Sequence, residues 1–255
     1  MNFQNIPRDD KTIRKLIVPK KDVLSFWDYS NLELRVLAYY MDVSLLDRSL
    51  SNEFSRGVDV HAVTAEKLFG DNMITGNSYD KVHYRDIAKK LLFSIVYGGG
   101  VRTVAAQLNC DPLEAKNLIN DFKNSRPGVS ELAAKASDHF SKRGYLRTLA
   151  GRHVVPKSAY AALNALIQGS AADIVRHAIL LLSHHDLVLC IHDELIFDQT
   201  LVDYNESKKE IQECMETLPN IKSYWVGAQD LITRFPAYVQ LKVVNTVVST
   251  NWGDK

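Results

Sequence analysis

Two short apolar runs, Leu187–Ile191 and residues 195–197, are separated only by His192-Asp193-Glu194. Runs of strand length broken by so short a polar interval read as a hairpin of two buried strands with acids at its turn. A third run, residues 23–28 (Val-Leu-Ser-Phe-Trp-Asp), also ends in an acid. Carboxylates are almost never fully buried unless they are paired or bound to a metal. If these strands share one sheet, Asp28 and Asp193 lie side by side with Glu194 close by. Like charges that near raise one another's pKa unless a cation neutralises them. Mg2+ suits such a place, because it takes oxygen ligands from one or two carboxylates plus substrate phosphates. Taken singly, each acid has a plainer reading: Asp193-Glu194 as a solvated turn, Asp28 as a helix cap.

Between the first run and the hairpin the pattern is helical. Ser30-Asn-Leu-Glu33 is a capping-box spacing that opens a helix to about Met41. Further helices are expected over 61–69, 84–97, 111–124 and 128–142. Gly98-Gly99-Gly100 stops the second of these, and Pro112 opens the third. Residues 144–156 are turn-rich and basic. Residues 158–185 read as a long helix broken or bent near Gly169, residues 204–218 as another, and 238–248 as one or two final strands. Strands near both ends enclosing a helical middle give an α+β fold with a helical insertion.

The helix over 84–97 carries the second pointer to function. Arg85, Lys89, Phe93 and Tyr97 recur every four residues and form one slowly drifting stripe. Ile87, Leu91 and Ile95 are expected on the opposite, core face. A surface helix explains two cations, but not two aromatic rings continuing the same line. Cations followed by rings suit a nucleotide, with positive charge for a triphosphate and a ring face for a base.

Composition excludes more than it assigns. With 31 basic and 30 acidic residues the net charge is +1, so a nucleic-acid footprint must lie in local arrangement. Apolar residues make up 46% and charged residues 24% of the chain, which speaks against disorder. No apolar run approaches a membrane span, and the start has no signal-peptide pattern. Three scattered cysteines, Cys110, Cys190 and Cys214, do not make a disulfide framework or a zinc site. A reducing, cytoplasmic setting is the expectation.

Six segments in order carry a resemblance that spans nearly the whole chain: Asn2-Phe-Gln-Asn-Ile-Pro7, Asp28-Tyr-Ser-Asn-Leu-Glu-Leu-Arg35, Arg85-x3-Lys89-x3-Phe93-x3-Tyr97-Gly98, Thr148-Leu-Ala-Gly-Arg152, Asn164-x3-Gln168-Gly-x-Ala-Ala-Asp173 and His192-Asp-Glu194. The chain resembles the polymerase region of family A DNA polymerases, the group of bacterial DNA polymerase I and many phage replicases. The resemblance implies a palm from residues 1–42 and 158–255, an antiparallel sheet with packing helices, and mainly helical fingers from residues 43–157. It implies a template-directed enzyme that adds dNTPs to a primer 3′-hydroxyl by two-metal phosphoryl transfer.

Carried over by residue, the resemblance makes Asp28 and Asp193 the holders of two Mg2+ ions, with the Tyr29 carbonyl as a further ligand and Glu194 as a supporting carboxylate. Arg85 and Lys89 match triphosphate-binding positions, and Lys89 is also the candidate general acid for pyrophosphate. His61 matches a further phosphate contact, and Arg14 a basic position near the triphosphate. Phe93 lies where the family stacks on the incoming nucleotide, and Tyr97 where it guards the templating base. Glu33 is read as a steric gate against the ribose 2′-hydroxyl besides completing the Ser30 capping box. It disfavours an RNA polymerase, since the related single-subunit RNA polymerases lack this glutamate. Asn164 and Gln168, one helical turn apart, resemble residues on the minor-groove side of primer–template, where acceptors check pair geometry rather than sequence. His192 resembles a primer-terminus contact, and Arg147 and Arg152 suit phosphates by charge and position.

The chain departs from the pattern in places. Tyr160 stands where bacterial members usually carry arginine, the loop before Asn164 is shorter, and 224–236 looks longer, with no role. In the family a thumb and usually an exonuclease precede the Asn-Phe-Gln-Asn-Ile-Pro segment, which here begins at Asn2. The expectation is one half of a split polymerase, completed by a second polypeptide bearing the thumb, with or without an exonuclease. The alternatives are a catalytically weak nucleic-acid-binding replication subunit or a truncated relic.

Overall fold

The computed structural model describes residues 11–44, 46–70, 78–217 and 241–255. The expectations placed on 2–7, 224–236 and 238–240 lie outside these residues. In chain order the elements are α1 (Lys11–Arg14), β1 (Val23–Tyr29), α2 (Leu32–Val43), α3 (Ser49–Ser55), α4 (Val60–Phe69), α5 (Ser78–Val96), α6 (Val101–Leu108), α7 (Pro112–Ser125), α8 (Pro127–Arg143), β2 (Leu146–Arg147), β3 (His153–Val154), α9 (Ala162–Leu181), β4 (Leu187–Ile191), β5 (Glu194–Gln199), α10 (Leu201–Thr217) and β6 (Val243–Val248). This is the α+β architecture expected, with an antiparallel sheet from the two ends and helices between. Among the described residues no helix is long and apolar enough to cross a membrane.

Two compact units divide the chain. The first takes the described residues within Met1–Leu32, Ala171–Pro236 and Gln240–Lys255. Its sheet has the order β4-β5-β1-β6, every neighbouring pair antiparallel. Strand alternation divides β1 between two faces. Leu24 and Phe26 join Ile191, Ile196 and Trp252 in one cluster. Ser25 and Tyr29 serve the other face: Ser25 donates to Gln199 at 2.5 Å, and the Tyr29 hydroxyl donates to the Met215 carbonyl of α10 at 2.9 Å. With both faces covered, β1 and β5 read as continuous apolar runs, which is why the sequence exposed them.

The hairpin turn is tighter than expected. Glu194 is the first residue of β5 and is buried, so only His192 and Asp193 make the turn. His192 takes φ 56°, as a two-residue hairpin with primed-turn twist requires.

The second unit, the described residues within Glu33–Ser170, is helical apart from the small β2–β3 hairpin. Its buried polar centre is Arg126, fully enclosed between α7 and α8. The guanidinium donates to Glu53 of α3 at 2.8 Å and to Thr64 of α4 at 2.8 and 3.1 Å. A buried charge is tolerated only with such pairing.

Three local expectations are corrected. α2 opens at Leu32 after Asn31, which has φ 55°, so the helix starts later than the Ser30 capping-box spacing implies. The core face of α5 is Ala88, Leu91, Leu92 and Val96, while Ile87 and Ile95 are only half-buried. Gly169 does not break α9, which is one helix through that position. A Cβ there would meet Thr148 Cγ2 at 2.9 Å and Val154 Cγ1 at 3.1 Å. The glycine lets the β2–β3 hairpin close onto the helix.

Candidate active site

In the sheet unit the main chain brings the three strand-end acids to one end of the sheet. Asp28 faces Glu194 across the β1–β5 register, and directly opposed residues of an antiparallel pair share a face. One residue on, the Tyr29 N–H donates to the Asp193 carbonyl at 3.3 Å, which ties the end of β1 to the hairpin turn. Asp28 and Asp193 are half-buried. The Lys255 ammonium lies against the Glu194 carboxylate and 4.9 Å from the centre of the Phe26 ring.

The Tyr29 phenol is enclosed and its pKa is raised well above the ordinary value, chiefly by burial and then by the charges of Glu216, Cys214 and Asp193. Its side chain is thus a neutral anchor, and only its main chain belongs to the acid cluster. Burial, then the charge of Asp193, also pushes the Cys190 thiol up. His192 is exposed at the turn. Arg14 sits with its guanidinium carbon 4.5 Å from the centre of the Trp252 ring.

In the helical unit, α4 and α5 build a second cluster. Asp59 caps α4, its Oδ1 accepting from His61 N at 2.9 Å and Ala62 N at 3.2 Å. Its Oδ2 accepts from Arg85 Nε and Nη2, each at 2.8 Å. Burial alone would raise the Asp59 pKa, but the Arg85 hydrogen bond, the capped backbone and the Arg85 charge hold it below the usual carboxylate range. His61 is buried, and neither ring nitrogen has a hydrogen-bond partner. Desolvation lowers its pKa to about 4; Asp59 opposes this, and Arg85, Lys89 and Arg126 reinforce it. The imidazole is therefore neutral at pH 7.

Further along α5, the Phe93 ring lies 5.9 Å from His61 and 5.6 Å from Tyr97. Lys89, Phe93 and Tyr97 line one open cleft of about 510 Å³ with Lys90, Ser94 and Gln107. The Tyr97 hydroxyl donates to Glu33 in the first turn of α2. Lys89, Phe93 and Tyr97 of the stripe read from the sequence thus share this cleft, while Arg85 is held by Asp59. Asn164 and Gln168 lie on α9, Gln168 exposed and Asn164 with a buried amide oxygen that has no hydrogen-bond partner. Arg152 is exposed and donates to the Gly169 carbonyl at 2.9 Å. Arg147 donates to His153 at 3.2 Å. Tyr160 is 85% exposed.

Asp59 was missed by the sequence reading. Its local signal, an acid at the N-cap of a short helix, is too common to mark a site. Its second bond joins residues 26 apart in the chain and exists only once the helices pack.

Comparison with known proteins gives a concordant result. A profile described as DNA polymerase family A matches residues 1–254. DNA polymerase I of Lactococcus lactis is 33% identical over 242 residues, covering 84% of this chain and 26% of that protein. The DNA polymerase of Mycobacterium phage D29 is 33% identical over 219 residues, covering 83% of this chain and 35% of that protein. The chain thus spans about a quarter to a third of the relatives it matches. Among solved structures, the POL domain of Pol1 from M. smegmatis, in complex with DNA primer-template and dNTP, superposes with a TM-score of 0.80 at 26% identity. The match covers 99% of this chain and 44% of that one.

Proposed function

The chain belongs to DNA polymerase family A, and from this premise we propose that it performs template-directed addition of deoxynucleotides to a primer 3′-hydroxyl. The observation that carries the reading is the meeting of Asp28, Asp193 and Glu194 at one end of a single sheet. A sheet gains no stability from three acids in that place, whereas a metal-dependent phosphoryl transfer needs them.

The donor set fits Mg2+: the carboxylates of Asp28 and Asp193 and the main-chain carbonyl of Tyr29 are hard oxygen ligands. Bound there, two Mg2+ ions would activate the primer hydroxyl and neutralise charge on the leaving pyrophosphate. Glu194 supports the pair, with Lys255 against it. Arg85, Lys89, His61 and Arg14 bind the triphosphate, and Lys89 gives its proton to pyrophosphate. A neutral His61 serves as a hydrogen-bond donor without adding charge. Phe93 stacks on the incoming nucleotide, Tyr97 guards the templating position, and Glu33 excludes the ribose 2′-hydroxyl. Asn164, Gln168, His192 and Arg152 contact the primer–template. The M. smegmatis Pol1 structure, a complex with primer-template DNA and dNTP, supports both substrate classes.

The test is extension of a recessed primer with four dNTPs and Mg2+, set beside Asp193→Ala. Extension by the native sequence alone supports the proposal. Absence of extension, or equal extension by the variant, contradicts it.

A further inference from the structure

We propose that His184, His185 and Glu210 form a binding site for one transition-metal dication of the zinc class, separate from the residues assigned to catalysis. The sequence placed the two histidines only at the end of the long helix expected over 158–185. In the structure they occupy the turn between α9 and β4, and Glu210 reaches them from α10. One ligand atom from each residue lies within 4.8 Å of the other two. His184 Nε2 is 2.9 Å from Glu210 Oε1, and His185 Nε2 is 3.5 Å from Glu210 Oε2. Ligand atoms around a tetrahedral ion with bonds of about 2.0–2.2 Å stand at separations of this order.

A second observation points to a ligand. His185 Nε2 is buried and makes no hydrogen bond, although a carboxylate oxygen stands only 3.5 Å away. The ring is backed by Phe197, edge to face at 6.0 Å, and by His184, 4.2 Å between ring centres. A buried ring nitrogen without a close hydrogen-bond partner, 3.5 Å from a carboxylate oxygen, is placed where an ion could bridge the two. The adjacent Asp186 is occupied by Lys21 at 2.5 Å, and that ammonium also approaches Asp203 at 3.9 Å.

Two imidazoles and one carboxylate select against Mg2+ and for Zn2+, Co2+ or Ni2+. Three protein ligands leave the fourth position to water. Loading requires the His184 Nε2–Glu210 hydrogen bond to open, with the His184 proton on Nδ1. The ion then fastens the turn before β4 to α10, so that metal binding stabilises the fold by linkage.

The test titrates the metal-stripped chain with Zn2+ by calorimetry and with Co2+ by visible absorption. The expected result is one more equivalent bound by the native sequence than by His184→Ala/His185→Ala, with affinity for that equivalent at least about tenfold weaker in Glu210→Gln. The intense visible band of four-coordinate Co2+ should accompany that equivalent and vanish with the histidines. Asp28→Asn/Asp193→Asn should retain both, which separates the site from the acid cluster. Because His184 and Glu210 are half exposed, their variants are expected to fold, and circular dichroism verifies it. Equal stoichiometry and affinity across the histidine and Glu210 variants, or a Co2+ spectrum of six-coordinate ions only, overturns the proposal.

Discussion

One carboxylate, that of Asp59, caps α4 through Oδ1 and holds the guanidinium of Arg85 through Oδ2. This side chain thus bonds both to the helix that presents His61 and to the helix that presents the cationic stripe, which also pack ring against ring through His61 and Phe93. Arg85 is therefore oriented before any ligand arrives, which reduces the entropy it loses on binding a phosphate. Asp59→Asn keeps a cap oxygen but loses the charge. We expect it to raise KM for dNTP by about tenfold, as for loss of one charge-assisted hydrogen bond, with kcat changed less. Asp59→Asn/Arg85→Ala should be no worse than Arg85→Ala alone, because the two act as a unit. Additive losses in steady-state kinetics would refute the coupling.

His61 sets a pH dependence whose sign follows from its surroundings. Its pKa is lowered to about 4 in the folded chain, against about 6.5 when unfolded. Between these values the unfolded chain binds the proton and the folded chain does not, so stability present above pH 6.5 is lost as pH falls toward 4. Denaturation midpoints should fall over that window and fall less in His61→Gln. An NMR titration of the ring giving a midpoint near 6.5 would contradict the burial argument.

Glu33 is held by the Tyr97 hydroxyl, so the proposed gate involves two residues. Glu33→Ala should raise ribonucleotide incorporation strongly, and Tyr97→Phe should raise it by a smaller factor, since the carboxylate stays but is no longer positioned. An unchanged dNTP/rNTP ratio in Glu33→Ala sinks the gate assignment.

Gly98, which ends the stripe, has φ 75°, and a Cβ there would run into the Tyr160 carbonyl oxygen. Backbone strain of about 1–2 kcal/mol is therefore joined by a clash with main chain that cannot rotate away. Gly57 has a similar φ of 66° and nothing within 4 Å, so Gly57→Ala incurs the strain alone. Thermal denaturation should show Gly98→Ala lowering Tm clearly more than Gly57→Ala; equal shifts would show that the close approach is unimportant.

Much of the fold and of the candidate site's arrangement was legible in the sequence, and the omissions share a cause. The acid-ended runs were legible because β1 and β5 are covered on both faces, and the stripe because a four-residue spacing survives any packing of the helix. Pro112 was legible as local chemistry, and the structure adds the cap before it, Asp111, which accepts from Leu113 and Glu114. What escaped is tertiary. Gly169 read as a break because a close approach by β2–β3 leaves no mark beyond the glycine itself. The buried face of α5 was misassigned by one position because α4, α6 and α7 surround it, and no single-face pattern describes a helix packed that way. The partnership of Asp59 with Arg85, and of His184 and His185 with Glu210, joins residues 26 apart or nearly so, beyond the reach of periodicity.

The most direct measurement of the central claim is single-nucleotide incorporation opposite a defined template base, with Mg2+, for the native sequence, Asp28→Asn and Asp193→Asn. The account predicts that the native sequence adds only the complementary dNTP, and that each variant loses at least about 10³-fold in rate while still binding dNTP. Incorporation independent of the template base, or an asparagine variant that extends at the native rate, would contradict it.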